Sequence, residues 1–447
     1  MKSSRRKFLR NSIKASAALS VGGVLPGFTA KSYAAIHGAN ERIKVGVMGV
    51  NSRGLALAQN YASQKNCEVA SISDVDSRAI DTCIKKITPV QNSTPKIVPD
   101  FRKALEDKAL DAMVIATPDH WHAPAAILAC KAGKHVYVEK PCSHNPHEGE
   151  LLVAAAKKYN RKVQMGNQRR SWPNVIAAIQ EVKSGVIGRP YFGRGWYASN
   201  RASIGTGKKA EVPSWLNYDL WQGPAPREDF RDNIIHYNWH WFWNWGTGEG
   251  GNNGTHMVDL LRWGMGIDYP VSVTSSGGRY RYKDDWQTAD TQVVSWAFPN
   301  NTLMEWEGRS CNGLGMEGSS VGVAFYGEKG TVIIGGGNNY KMYDLEGRLL
   351  KEVKDEEKFD AGNRVDPLKE LDALHIQNFF DGIRKGTVLN SDIEEGFKST
   401  LLNQLGDIAM RTQSTLRTDE RNGHIIDNAE ANKLWKRNYE QGWEPVI

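Results

Sequence analysis

A lysine and a histidine are the two side chains of this sequence best suited to move a proton. Lys140 stands in Glu139-Lys140-Pro141, directly after the short apolar run at 135–138. A strand that ends in lysine and stops at proline places an ammonium at the carboxyl edge of a sheet, where ligands of open α/β sheets bind. His256 follows the glycine-rich stretch 250–255 and opens a helical pattern. An ammonium stabilises a forming alkoxide, and a histidine can accept a proton near neutral pH. We predict this pair as catalytic, and the sequence leaves open which of the two is the base.

A dinucleotide site is predicted upstream of the lysine. The apolar strand 43–48 leads into Gly49-Val50-Asn51-Ser52-Arg53-Gly54, which is similar to a Gly-x-Gly-x-x-Gly turn. Asn51 replaces the middle glycine and is expected to adopt the positive φ that asparagine tolerates. A second strand ends at Asp74, about 20 residues beyond the turn, where a carboxylate accepts ribose hydroxyls and repels a 2′-phosphate. The cofactor predicted from these residues is NAD, with NADP disfavoured.

The order of strand and helix patterns predicts the fold class. Strand-like runs alternate with helical patterns up to about residue 165, which indicates an α/β domain with a Rossmann, doubly wound parallel sheet. From about residue 188 the strands alternate apolar and polar residues, which indicates an α+β domain with a large open, mostly antiparallel sheet. Helices are expected over 374–384 and 393–412. The predicted boundaries are 1–35, 41–165, 166–430 and a tail at 431–447.

Tryptophan is concentrated in the second domain. Seven of the 15 tryptophans fall between residues 196 and 245, and four of them alternate from Trp239 to Trp245. Packing in the interior accounts for part of this set. Polar side chains between them suggest more, since aromatic faces beside hydrogen-bonding groups suit the ring of a carbohydrate. The residues predicted to bind the substrate are Arg169, Tyr237, Trp239, His240, Asn252 and His256.

Four motifs in order resemble those of the Gfo/Idh/MocA oxidoreductases. They are the glycine turn, the aspartate after the second strand, Ala116-Thr117-Pro118 with His122, and the run from Ala132 to Pro141. The resemblance implies a sugar or polyol dehydrogenase with an NAD-binding domain, and a second domain through which such proteins often form homo-oligomers. It implies that the NAD site is lined by Gly49, Asn51, Ser52, Arg53, Asp74, Thr117, His122, Glu139, Lys140 and Asn167, with Gly54 closing the turn. A structural alternative for His122 is a histidine that caps its helix without touching a ligand.

One departure from the family pattern affects the mechanism. The second catalytic motif of the family is commonly Asp-x-Gly-x-His, and here the aspartate is Asn252 while His256 is kept. An amide can orient a hydroxyl but does not exchange a proton at neutral pH. More of the proton chemistry is therefore expected to fall on Lys140. The histidines fit no standard zinc spacing, and no metal site is predicted.

The first 35 residues resemble a twin-arginine export signal. Arg5-Arg6 precede a weakly apolar run that is too short and too glycine-rich to span a membrane, and small residues follow near Ala34. This segment carries seven basic and no acidic residues, so the remaining chain has 50 of each and is neutral. The charge gives no reason to expect nucleic acid as a partner. The five scattered cysteines indicate neither a disulfide framework nor a zinc site.

Export constrains how the cofactor is used. Free NAD is not expected outside the cytoplasm, so the protein is predicted to carry tightly bound NAD into the periplasm. A cofactor that does not exchange has to return to its starting oxidation state within the catalytic cycle.

One enzymatic alternative is a glycosidase that oxidises C3 transiently, eliminates the glycosidic substituent and reduces the ring again. Such glycosidases lack the Glu-Lys-Pro signature, which favours a dehydrogenase acting on a sugar or glycoside. The non-enzymatic alternative is an exported sugar-binding protein.

Overall fold

The computed structural model describes residues 42–354 and 369–447. The predicted export signal at 1–35 lies outside the described residues. All five cysteines lie in the described part, where each is buried and none forms a disulfide.

The first sheet has six parallel strands: β1 (Ile43–Met48), β2 (Cys67–Ser73), β3 (Lys96–Ile97), β4 (Ala112–Ile115), β5 (His135–Val138) and β6 (Val163–Met165). Their order in space is β3-β2-β1-β4-β5-β6. The helices between them are α1 (Arg53–Ser63), α2 (Ser77–Gln91), α3 (Phe101–Ala104), α4 (Asp119–Lys131) and α5 (Pro146–Lys158). Strands covered by helices on both faces read as continuous apolar runs, and all four residues of β4 are buried. The predicted doubly wound sheet is confirmed.

The second sheet has eleven strands in the described residues and is mixed, mostly antiparallel. Its strands are β7 (Pro190–Asn200), β8 (Ser272–Gly278), β9 (Thr291–Phe298), β10 (Thr302–Arg309), β11 (Cys311–Asn312), β12 (Val321–Gly327), β13 (Gly330–Ile334), β14 (Tyr340–Tyr343), β15 (Leu349–Val353), β16 (Leu416–Thr418) and β17 (Ile425–Ile426). Their order is β15-β14-β13-β12-β7-β10-β9-β8-β16-β17, with β11 paired to β7. Only the β7–β10 pair is parallel among these neighbours. This agrees with the predicted open sheet.

The helices of the second half are α6 (Pro173–Lys183), α7 (Tyr218–Gln222), α8 (Thr255–Met265), α9 (Lys369–Lys385), α10 (Ile393–Thr412) and α11 (Ala429–Asn432). Two 3₁₀ turns (Gln168–Ser171 and Asn238–Trp241) and one π-helical turn (Gly250–Gly254) complete the elements. One apolar cluster includes Val138 of β5, Val294 of β9 and Leu402 of α10. Because the two sheets share this core, the carboxyl edge of the first sheet is held against the second domain.

Within residues 42–354 and 369–447, no helix has the length and apolar character needed to cross a bilayer.

Candidate active site

The parallel strands bring the predicted cofactor residues to one edge of the first sheet. A cavity of about 300 Å³ opens at this edge. The predicted site residues in its wall are Gly49, Asn51, Ser52, Arg53, Asp74, Thr117, His122, Glu139, Lys140, Tyr237, Trp239, His240 and Asn252. Residues of both domains therefore face a single cavity. Gly54, Asn167, Arg169 and His256 are not in this wall, and their roles stay predictions.

The glycine turn after β1 packs too closely for side chains at two positions. Gly49 has φ 79°, and a Cβ there would lie 2.7 Å from the Ala116 carbonyl oxygen. A Cβ on Gly54 would lie 1.7 Å from the Gly49 carbonyl oxygen. The expectation for Asn51 is wrong, because it is Ser52 that adopts a positive φ, 50°. Ser52 is the N-cap of α1, so the chain reverses one residue later than the motif suggested.

Replacing Gly54 with alanine should leave the purified protein largely without nucleotide. The new Cβ forces the turn away from β1, and overpacking of this kind typically costs 1–3 kcal/mol. The measurement is the amount of NAD released per protein after denaturation, together with the melting temperature. Gly278→Ala is the matched control, since the nearest atom to its Cβ would lie 3.5 Å away. A Gly54→Ala protein with a full complement of NAD would contradict a close-packed nucleotide turn.

Asp74 ties the glycine turn to the second strand. Its carboxylate accepts hydrogen bonds from the backbone N–H of Val50 at 2.6 Å and of Asp76 at 2.9 Å. Burial raises the pKa of Asp74, and these backbone donors oppose that rise. Each carboxylate oxygen has two acceptor positions, so both keep capacity for a ribose hydroxyl.

Unsatisfied polar atoms at the sheet edge match the needs of a dinucleotide. In the described part of the chain, the Thr117 hydroxyl and both side-chain polar atoms of Asn167 are buried without a hydrogen-bond partner. Thr117 lines the cavity, so a ligand there can supply the partner that its hydroxyl lacks. Together with the glycine turn and Asp74, these residues fit NAD.

Arg53 and Glu139 form an ion pair at the base of the cavity. The Arg53 Nε atom lies 2.8 Å from Glu139 Oε1, and its Nη1 atom lies 2.6 Å from Asp372 Oδ2 on α9. Burial alone would lower the pKa of Arg53, but the two carboxylates raise it well above its ordinary value. The pair fixes the end of β5 and so positions the residue that follows it, Lys140.

Lys140 is buried and reaches across to the second domain. Its Nζ atom donates to the backbone oxygen of Asn252 at 2.5 Å and to the Asn252 side-chain oxygen at 3.1 Å. An ammonium has three donors, so these bonds leave one for a ligand in the cavity. Burial lowers the pKa of Lys140, while Glu139, Asp119 and Glu249 oppose that shift.

A buried carboxylate, Glu249, supports the π-helical turn that presents Asn252. It accepts hydrogen bonds from Arg201 Nε at 2.8 Å, Ser310 Oγ at 2.7 Å and Asn253 Nδ2 at 2.5 Å, and Asn252 Nδ2 lies at 3.4 Å. Burial would raise the pKa of Glu249, but Arg201 and these donors lower it. The Asn252 amide thus joins this carboxylate to Lys140. π-helical turns occur often at functional sites.

His256 lies in the first turn of α8 and is buried. Burial lowers the pKa of this imidazole well below its ordinary value, and the cations Lys140 and Arg169 lower it further. The ring is therefore neutral at neutral pH, and its affinity for a proton is weak.

His122 is held by the chain itself. Its Nδ1 atom lies 2.6 Å from the Pro141 oxygen and its Nε2 atom 2.8 Å from the Thr117 oxygen. The ring therefore joins the ends of β4 and β5 and also borders the cavity. In the described residues, the helix start has no side-chain cap, so His122 is not its cap. The role of His122 at the nucleotide stays a prediction.

The aromatic wall belongs to the segment around the 3₁₀ turn Asn238–Trp241. Trp239 stacks on His240 with 3.6 Å between ring centroids. His240 Nδ1 lies 2.5 Å from the Tyr237 backbone oxygen, and Arg201 Nη1 donates to the Tyr237 hydroxyl at 2.6 Å. Trp241 and Trp245 are buried instead, as are Trp196 and Trp221. Packing thus accounts for Trp196, Trp241 and Trp245, while Trp221 and Trp239 lie in the cavity wall.

Arg169 is a buried cation whose charge is not matched by a carboxylate in the described residues. Its Nη1 atom donates to the Gly335 oxygen at 3.3 Å, and its guanidinium lies 4.9 Å from the Trp172 ring. Burial lowers its pKa to about 10. The adjacent Arg170 instead forms a bidentate pair with Asp259, at 2.8 and 2.9 Å.

Asp119 and His236 also lie in the cavity wall, although they are not among the predicted site residues. Asp119 is buried, its carboxylate accepts the Thr247 hydroxyl at 2.5 Å, and burial raises its pKa. Asp119 is the first residue of α4, and acidic residues are common in the first turn of helices, so the sequence gives no sign that it lines a cavity. His236 lies in the same wall and pairs with Asp76 at 2.9 Å, a contact between residues far apart in sequence.

The chain matches two companion family models. Residues 43–167 match the model described as oxidoreductase family, NAD-binding Rossmann fold, and residues 213–416 match the oxidoreductase family C-terminal alpha/beta domain. The chain belongs to the Gfo/Idh/MocA oxidoreductase family. The predicted family, fold class and NAD-binding domain are thereby confirmed.

Two proteins with similar sequences have names that state different activities. A glycosyl hydrolase family 109 protein of Saccharopolyspora erythraea is 28% identical over 240 residues, which cover 49% of this chain and 52% of the relative. An inositol 2-dehydrogenase of Rubrobacter xylanophilus is 30% identical over 164 residues, covering 36% of this chain and 46% of the relative. The chain thus spans about half the length of these relatives.

Among solved structures, the fold is similar to that of levoglucosan dehydrogenase in complex with NADH and levoglucosan. The TM-score is 0.65 at 18% identity, and the likeness covers 84% of this chain and 99% of that one. At this identity the comparison shows a common fold.

Proposed function

We propose that this protein is an exported oxidoreductase that uses tightly bound NAD to oxidise a hydroxyl group of a sugar or glycoside. The observation that carries the proposal is the position of Lys140. A buried ammonium at the carboxyl edge of a dinucleotide-binding sheet is held by Asn252 of the second domain, inside one cavity with the aromatic wall.

Residues of the cavity wall, together with His256, supply what such an oxidation requires of a protein. The nicotinamide ring, when bound, supplies the acceptor for the hydride that leaves the carbinol carbon. Lys140 has a free donor for the substrate oxygen, and its lowered pKa brings the neutral amine closer to working pH. His256 has its pKa lowered well below the ordinary value, so we assign it hydrogen bonding to a neighbouring hydroxyl rather than proton uptake. Lys140 is therefore the base of the proposed reaction, and Asn252 sets the position of its ammonium.

The aromatic and polar side chains of the cavity wall support a carbohydrate as the substrate. The Trp239 ring offers an apolar face, and the Tyr237 hydroxyl and Asp119 carboxylate offer hydrogen bonds near it. Sugars present both an apolar ring face and a polar rim. The structural likeness to a dehydrogenase bound to levoglucosan is in keeping with this substrate class.

Two parts of the proposal are supported by sequence alone. Export rests on Arg5-Arg6 and the run that follows within residues 1–35. A homo-oligomer, formed through the second domain, rests on the family resemblance. Both stay predictions.

A second function is favoured by one comparison. The glycosyl hydrolase family 109 relative supports a redox-neutral glycosidase, in which oxidation at C3 permits elimination of the glycosidic group before reduction of the ring. The Glu139-Lys140-Pro141 signature favours the dehydrogenase.

One experiment tests the export, the cofactor and the reaction together. The protein is isolated from the periplasmic fraction and denatured, and the supernatant should contain NAD by mass spectrometry, close to one per chain. Native protein is then mixed with p-nitrophenyl glycosides. A stable keto sugar without nitrophenol supports the dehydrogenase, and nitrophenol without net NADH supports the glycosidase. Protein confined to the cytoplasm would overturn export, and a supernatant free of nucleotide would favour a sugar-binding protein.

A further inference from the structure

A short segment of the second domain is bonded to the nucleotide-binding edge of the first. Residues 213–217 run antiparallel to residues 75–77, with Leu216 bridged to Asp76. The Ser77 N–H donates to the Trp215 oxygen at 3.1 Å, and the Asn217 N–H donates to the Val75 oxygen at 2.9 Å. This contact begins one residue after Asp74, the carboxylate predicted to bind the adenosine ribose.

Side chains from both domains add contacts to this backbone pairing. The Arg78 guanidinium lies 3.3 Å from the centroid of the Trp215 ring. His236 Nε2 lies 2.9 Å from Asp76 Oδ2, and the His236 and Trp215 rings lie 6.4 Å apart. Asp76 is only 2% exposed, so it is buried under these partners. It also pairs with Arg78 at 2.8 Å.

The segment forms a wall of the nucleotide end of the site. A second cavity is lined by Trp215, Leu216 and Asn217 on one side and by Asp74 and Val75 on the other. It shares Asp74, Val75, Pro99 and Leu220 with the main cavity, whose wall also contains His236. A ligand that occupied both cavities would lie beside this contact.

We infer that residues 213–217 and His236 form a strap that retains the adenosine end of NAD, so that the cofactor stays bound from one turnover to the next. The inference rests on the proposed function, and it gives a physical basis for the tight binding that export requires. Release of NAD needs the strap to separate from residues 75–78. That separation breaks two backbone hydrogen bonds, the Asp76–His236 contact and the Arg78–Trp215 stacking together, and such losses act mainly on the dissociation rate.

The test is the exchange of bound NAD against an excess of isotopically labelled NAD, followed by mass spectrometry of the protein-bound nucleotide over time. The Trp215→Ala/His236→Ala double variant should exchange at least about 10-fold faster than the wild type, or be purified empty while the wild type is loaded. Arg78→Gln removes a side chain that is 56% exposed and should change exchange in the same direction without harm to folding. Trp243→Ala is the matched control, because Trp243 is half-buried and stacked by Arg411 at 4.5 Å but lines neither cavity.

Equal exchange rates in the wild type, Arg78→Gln and the double variant would overturn the strap. So would exchange that accelerates equally in Trp243→Ala, since that would reflect general loosening. Absence of bound nucleotide in the wild type is a different result, which would count against the proposed function itself.

Discussion

A Lys140→Met variant should keep its NAD and lose sugar oxidation by at least about 1,000-fold in kcat. Methionine fills the space of the lysine stem but supplies neither a proton acceptor nor a charge for the substrate oxygen. The Asn252 oxygens that accept the ammonium at 2.5 and 3.1 Å then lose their donor. The measurement is the rate of cofactor reduction with saturating sugar, normalised to bound NAD.

Lys134→Met is the matched control for this loss. Lys134 is also buried and immediately precedes β5, whose other end leads to Lys140, and its Nζ donates to the Asp107 and Leu110 oxygens at 2.7 and 2.9 Å. Its replacement should lower the melting temperature and leave turnover per folded protein near that of the wild type.

A Lys140→Arg variant separates the effect of the charge from that of proton transfer, since a guanidinium does not give up its proton near neutral pH. Full turnover in Lys140→Arg would show that Lys140 contributes only its positive charge and is not the base. Full turnover in Lys140→Met would show that Lys140 takes no part in the reaction.

Glu249→Gln should lower both stability and turnover. Removing this carboxylate leaves the mostly buried Arg201 guanidinium, whose side chain is 11% exposed, with only the Tyr197 and Tyr237 hydroxyls as partners among the described residues. Breaking a fully buried pair typically costs about 3–5 kcal/mol, and we expect a smaller loss here. Glutamine keeps only one acceptor oxygen, so either Asn253, which donates to Oε1, or Ser310, which donates to Oε2, loses its acceptor. The π-helical turn is then held less firmly, and Asn252 no longer holds the Lys140 ammonium in a fixed place. We expect kcat to fall about 10-fold to 100-fold in the protein that remains folded.

The pH dependence of Glu249→Gln has a definite sign. The Glu249 carboxylate raises the pKa of Lys140, so its removal lowers that pKa further. If the neutral amine is the base, kcat increases as pH rises through this pKa, and the acid limb of the profile should move to lower pH in the variant. Glu307→Gln is the control, because Glu307 pairs with Arg194 at 3.1 Å and Arg309 at 2.6 Å on the second sheet, outside the cavity wall. An acid limb that stays in place would contradict Lys140 as the titrating group.

The sheet edge was largely predictable because parallel strands impose it. Buried strands appear in sequence as short apolar runs, and the residue after each run has to lie at the carboxyl edge. This is why Gly49, Asp74 and Lys140 could be placed along one edge before any coordinates were known. The same logic does not give the detailed turn geometry, and the positive φ expected at Asn51 lies at Ser52 instead.

The other half of the site depends on contacts that sequence spacing does not encode. Glu249 meets Arg201, 48 residues away, and only the second sheet brings them together. The glycine-rich run before His256 could be predicted as a loop, but the structure makes it a π-helical turn continuous with α8. The edge strands β14 to β17 were missed because they are short, and β15 is mostly exposed. The missing aspartate at Asn252 is partly offset by Glu249, a carboxylate one turn earlier.

The most direct test of the account is a single-turnover measurement on protein that carries its own NAD and receives no added cofactor. The protein is mixed with sugars and glycosides, and the NADH absorbance is followed before and after gel filtration. We expect that at least one sugar reduces the resident cofactor, that the NADH absorbance stays with the protein, and that Lys140→Met gives no such absorbance. A loaded wild-type protein that shows no reduction with any sugar, and no release of nitrophenol from any p-nitrophenyl glycoside, would contradict it.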